Sequence, residues 1–291
     1  MTRPPVPPTT ELAALLPPDI DLAAGRGLRP DAPPGEVEQA WYGVIWGRLG
    51  RGDHAWAWWD RLTTPALQPW LAAERGRLLR ELGQYERAQR LEQRALRLAT
   101  DPLDRVMLLV SLAADAVGRS AADDARGCLA SARRELAAQP WSPRRDRQAL
   151  RAGWVAVEIA LLTGGSVPDV PLPSWRPRGA GRAPLQAASA SSGVGPRLPS
   201  MSSAAAIPTT AAEALFLPPP YRSGSRFHLA KGCLFAGVVR ADLGLLALAA
   251  ELAPPALVWG VHLARAALGV EGATEAAAAA RARLVPPPTG G

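Results

Sequence analysis

Lysine is almost missing from this 291-residue chain: Lys231 is the only one among 33 basic residues, and arginine supplies the rest. With abundant alanine, proline and glycine, that bias matches the codon usage of GC-rich bacteria, so the net charge of +7 and the pI near 10.5 carry reduced functional weight. Cysteine is as scarce. Cys128 and Cys233 stand far apart, which excludes a disulfide framework and fits two buried small hydrophobes in a reducing cytoplasm. Of the three histidines, His54, His228 and His262, none has a carboxylate or cysteine at metal-ligand spacing, so no metal is expected. Long apolar runs are absent too. The most apolar region, 227–250, is broken by Lys231, Arg240 and Asp242 and falls short of the ~20 residues a membrane span needs. The opening MTRPPVPPTT lacks the basic-then-apolar pattern of a secretory signal. No glycine-rich phosphate loop follows a strand pattern, and no serine sits in a nucleophile elbow. Asp123 and Asp124, near Cys128, would not favour its thiolate. The expectation is therefore a protein with no catalytic residues and no cofactor, and no small-molecule substrate is indicated.

What the chain does contain is helical periodicity, and 48% apolar residues is enough for a real core. Within residues 76–102, Leu78, Leu79 and Leu82 recur at helical spacing, Gly83 interrupts, and Tyr85, Ala88, Leu91, Ala95 and Leu98 form a second stripe. This pattern predicts two antiparallel amphipathic helices joined by a tight turn, with Ala88 and Ala95 where a neighbouring helix comes close. A shift of 33 residues reproduces it: Gly43, Trp46, Leu49, Gly50, Ala55 and Leu62 fall opposite Gly76, Leu79, Leu82, Gly83, Ala88 and Ala95. A looser copy has Gly118 before Ala125 and Ala132, with two extra turn residues. Another is read at Gly237, Leu243, Gly244 and Ala249.

The order Gly76, Leu79, Gly83, Tyr85, Ala88, Ala95 and then Pro102 resembles the tetratricopeptide repeat, in which small residues permit helix contact and an aromatic plugs the gap. The resemblance implies an all-α solenoid of antiparallel helix hairpins whose concave face binds a protein or peptide. The expected organisation is a proline-rich flexible arm at 1–34, a repeat domain at 35–164, a Pro/Ser/Ala-rich disordered linker at 165–213, a helical segment at 214–284 and a tail at 285–291.

Two surfaces are candidates for binding. Trp41, Trp46, Trp56, Trp58, Trp59 and Trp70 crowd the first unit, and the rings of Trp56, Trp58 and Trp59 leave one helix in different directions. They cannot all face one core, so the expectation is a protein or peptide partner that covers at least one of them. The alternative cover is a neighbouring repeat or the proline-rich arm. Arg133, Arg134, Arg144, Arg145, Arg147 and Arg151 form a basic patch, with Trp141 as a stacking ring, that could contact nucleic-acid phosphates. A third arrangement brings His228, Lys231 and His262 together if their helices pack, with a satisfied buried histidine as the simpler reading.

Overall fold

The computed structural model describes residues 4–17, 20, 22, 32–168, 170 and 226–287. Apart from 165–168 and 170, the expected linker lies outside the described residues, as do 214–225 and 288–291. Twelve α-helices are present among the described residues: α1 (Thr9–Leu15), α2 (Pro34–Arg48), α3 (Gly52–Trp59), α4 (Gln68–Glu81), α5 (Tyr85–Leu98), α6 (Pro102–Gly118), α7 (Ala122–Ala137), α8 (Pro143–Thr163), α9 (Arg226–Arg240), α10 (Leu243–Leu252), α11 (Pro255–Ala267) and α12 (Ala273–Ala282). The described part of the chain is all-helical, with consecutive helices packed as pairs. None of the described helices is long and apolar enough to cross a membrane.

The ends of the helices are written locally. Asp101 accepts the Asp104 amide at 2.9 Å and Ser142 the Arg145 amide at 3.1 Å, each just ahead of a proline at the first helical position, where its missing N–H is no loss. Five hairpins then share one turn. Gly50, Gly83, Ser120, Ala241 and Gly269 all have positive φ, and the next residue's amide bonds back to a carbonyl five positions earlier, as in Gln84 to Leu79 and Ala121 to Ala116. This closure satisfies the carbonyls left over at a helix end, and it asks for a left-handed residue that glycine supplies without strain.

The 33-residue repeat is a packing repeat. A Cβ on Gly43 would fall 2.2 Å from Trp59 Nε1, and one on Gly76 would fall 1.9 Å from Glu92 Oε1; the second contact is the first moved on by the 33-residue repeat. Ala55, Ala88 and Ala125 stand five residues after their turns and are fully buried. Tyr85 packs on Gly118 of the next hairpin, so an aromatic fills the space between neighbours. The later copy differs from expectation. The turn is at Ala241, three residues before Gly244, because Asp242 Oδ1 caps α10 by accepting the amides of Gly244 and Leu245 at 2.8 and 3.0 Å.

The array closes on itself. Gly52 donates to the Val285 carbonyl and Val285 to the Gly50 carbonyl, both at 2.7 Å, while Phe227 and Leu257 join the core beneath α2 and α3. Residue 285, expected in a tail, is thus part of the seam. The arm is docked as well: Leu15, Leu16 and Ile20 are buried in the same core, and Arg48 donates to the Leu15 carbonyl. Within the described part of 1–34, Thr9–Leu15 form a short helix, and Leu15, Leu16 and Ile20 cover an apolar face of the first hairpin.

Gly76→Ala should lower stability by about 1–3 kcal/mol, since the added methyl must displace a buried carboxylate. Gly127→Ala, in a helix with nothing within 4 Å of the new Cβ, should raise it by about 0.5–1 kcal/mol. Denaturant unfolding of the two variants checks the opposite signs.

Candidate functional site

The first helix of each hairpin faces inward. Together with α8, these helices (α2, α4, α6, α9 and α11) line a partly open cavity of about 400 Å³, to which the arm adds Pro17 and Ile20. Its wall is partly aromatic. Trp41 and Trp70 lie with ring centres 5.0 Å apart, and Trp154 stacks on His228 at 6.1 Å.

The rest of the wall is charged, and the charges fall into two groups. The first is self-contained. Arg77 holds Glu74 at 3.0 Å and Glu81 at 2.5 Å. Arg144, from α8, bonds Asp101 at 3.0 Å and also Asp104. Arg80 reaches Glu92 of α5 at 2.8 Å and Asp115 of α6 at 2.9 Å, both carboxylates fully buried, so one guanidinium ties three helices. Burial alone would lower the Arg80 pKa, but the two carboxylates hold it above the ordinary arginine value. Burial pushes Glu92 well above the usual carboxylate range, and the neighbouring Asp115 adds to the shift; burial likewise raises Asp115.

The second group is cationic, with carboxylates such as Glu74 and Glu158 near it but none in direct contact. Among the described residues, Arg48, Arg151 and Lys231 have no carboxylate within 4 Å. Arg151 donates to Ser111 Oγ at 3.0 Å and Gln148 Oε1 at 3.2 Å. Arg48 lies 4.7 Å over the Phe227 ring, and Lys231 lies 5.7 Å from the rings of both Trp154 and Phe235. Burial lowers all three, Arg48 to about 9. Burial, with Arg48, Arg147, Arg151 and Lys231 around it, also keeps His228 well below its ordinary value, so its ring stays neutral. Glu158, raised by burial, is the carboxyl that most offsets the Lys231 charge.

The expected site residues are redistributed by the fold. Trp41, Trp56, Trp58 and Trp59 are buried, and Trp46 and Trp70 are half-buried. Three directions around one helix do not force exposure here: α2 covers Trp59, whose indole bonds the Ala40 carbonyl, and the arm covers Trp58 and Trp46 through the Pro5 carbonyl. The arginine patch is divided. Arg133 and Arg134 are exposed on α7 and Trp141 is 69% exposed, while Arg145 donates to the Leu136 carbonyl. Arg144, Arg147 and Arg151 line the cavity from the other side of the turn. His228 and Lys231 do meet in the cavity, whereas His262 is not in its wall. Cys233 is buried, its thiol pushed up to about 12, but Cys128 is only half-buried. Among the described residues, no three His, Cys, Asp or Glu side chains gather as a metal site. Sequence reading missed Arg48, Lys231 and Arg151 as one group, since they come from three helices more than 70 residues apart in sequence.

Comparison with models of protein families, with curated proteins and with solved structures finds no match for this chain.

Glu92 binds its proton more tightly in the folded chain than in the unfolded one. The folded state therefore holds more protons just above the usual glutamate value of 4.5, and this group's contribution to stability is lost as pH rises through its raised pKa. Glu92→Gln, which keeps an acceptor for Arg80, should flatten that decline in a series of unfolding curves against pH. Arg80→Met leaves two buried carboxylates unpaired and should cost about 3–5 kcal/mol near neutral pH.

Proposed function

We propose that the hairpins are tetratricopeptide-like units and that the chain is a non-enzymatic binding protein which holds a small organic oxyanion in the cavity of its inner face. In an open array the concave surface accepts an extended partner; here Pro17 and Ile20 of the arm cover part of it and leave a smaller cavity. The volume is in the lower part of the roughly 300–1,000 Å³ range of small-molecule sites.

The observation that carries this reading is the trio Arg48, Arg151 and Lys231. Burying a cation without a counter-ion is costly, and the same chain shows at Arg80 how it neutralises a cation when structure alone is at stake. A carboxylate or phosphate group entering beside Arg151 and Lys231 would supply the missing charge. The aromatic wall of Trp154, Phe227 and Trp41 supports an apolar, planar body on the same ligand.

The test is calorimetric titration with phenylacetate, phenyl phosphate and neutral phenylacetamide. The anions are expected to bind at least tenfold more tightly than the amide. Arg151→Met and Lys231→Met should each weaken them by roughly 10–100-fold, the range for a hydrogen bond to a charged group. Equal binding of the amide, or no response to either anion at millimolar concentration, would sink the proposal.

A further inference from the structure

Residues 4–8 lie on the first hairpin in a specific way. Pro4 and Pro7 are buried while Pro5, Val6 and Pro8 are exposed. A burial period of three is that of a polyproline II helix, and Pro8 has the matching backbone angles, φ −55° and ψ 139°. Two indoles meet this segment at one atom: Trp46 Nε1 donates to the Pro5 carbonyl at 2.7 Å and Trp58 Nε1 to the same oxygen at 3.3 Å. Each ring is held edge-on by a neighbour, Trp46 by His54 at 4.8 Å and Trp58 by Tyr42 at 5.3 Å.

This is the chemistry by which aromatic grooves read proline-rich segments. The polyproline II backbone has no internal hydrogen bonds, so its carbonyls are open to outside donors, and prolines three apart present a flat apolar ridge to the rings. A tryptophan indole is a donor only, which suits a carbonyl and no other backbone group. We propose that the surface formed by Tyr42, Trp46 and Trp58 is a recognition groove for a Pro-x-x-Pro segment of a partner protein, with residues 4–8 as its occupant in cis.

The arm is built so that this occupant is exchangeable. Its anchors lie downstream, at Leu15, Leu16 and Ile20 in the core and at the Leu15 carbonyl held by Arg48. Residues 4–7 can lift from the indoles while α1, whose first amides bond the Pro8 carbonyl, stays docked. A proline-rich segment in trans then meets the same two donors and the same apolar floor. The groove is separate from the cationic cavity, which neither Trp46 nor Trp58 lines.

The experiment uses the full-length chain and a fluorescein-labelled peptide, RPPVPPTT, in an anisotropy titration. Pro4→Ala/Pro7→Ala weakens the cis occupant and should bind the peptide at least tenfold more tightly than the unsubstituted chain. In that background Trp46→Phe, which keeps a ring and removes the donor, should cost about tenfold. Circular dichroism confirms that each variant is folded. The proposal is overturned if a folded Pro4→Ala/Pro7→Ala chain does not bind the peptide, or binds a copy with both spaced prolines replaced equally well. It is also overturned, in favour of arm exchange between copies, if light scattering shows the unsubstituted chain as a dimer that the double substitution dissolves.

Discussion

A guanidinium that gives up its water must be repaid in oxygen, and the way Arg80 is repaid sets the spacing of the middle of the molecule. Its two carboxylates come from α5 and α6, so neither the hairpin nor the join to the next hairpin can shift without exposing a buried charge. Glu92 reaches that point only because position 76 has no side chain. A glycine and a base on α4, with one acid on α5 and another on α6, thus act as one object. By itself such a network adds little to stability over apolar packing, but a misaligned version of it is heavily penalised, so it favours one register of the repeats over others. From that register follow the inward stripe of first helices and the cavity they line.

Much of this was readable in advance where it depends on local rules. Gly50 and Gly83 mark turns because that closure needs a left-handed residue, and Gly43, Gly76, Ala55 and Ala88 mark close approach because helix contact needs small side chains. Both signals recur at a fixed offset, which is what a repeat is. The reading slipped where another residue overrode the glycine. At the later hairpin Asp242 captures two amides and starts the helix, so Ala241 accepts positive φ and Gly244 becomes an ordinary helical residue. An N-cap outweighed a glycine signal, and both are worth about 1 kcal/mol.

The cavity was much less readable. Arg144 and Arg147, three apart, both line the cavity, while Arg145 between them turns away to the Leu136 carbonyl, because a helix turns about 100° per residue. Arg48 and Lys231 look unrelated until the chain closes. The tryptophans misled for a related reason: an isolated helix has an outside, but α3 is covered by α2, by α4 and by the arm. Exposure is a property of the assembled ring, and a local pattern has no access to it. The proline-rich opening looked like a segment without partners because composition counts what a peptide lacks. It does not register a pair of indoles waiting for a carbonyl.

The seam between Gly50, Gly52 and Val285 also bears on how the fold is reached. Contacts within a hairpin join residues a few tens of positions apart, whereas the seam joins residues 50 and 285 and must await nearly the whole chain. Loop closure across such a distance costs entropy that only the completed array offsets. The hairpins can therefore form in sequence order as the chain emerges, each templating the next, and the ring shuts as the final event. Reversed, the same logic makes the seam the natural first opening: a local breach there would separate the last residues of the array from α3 without unfolding any helix.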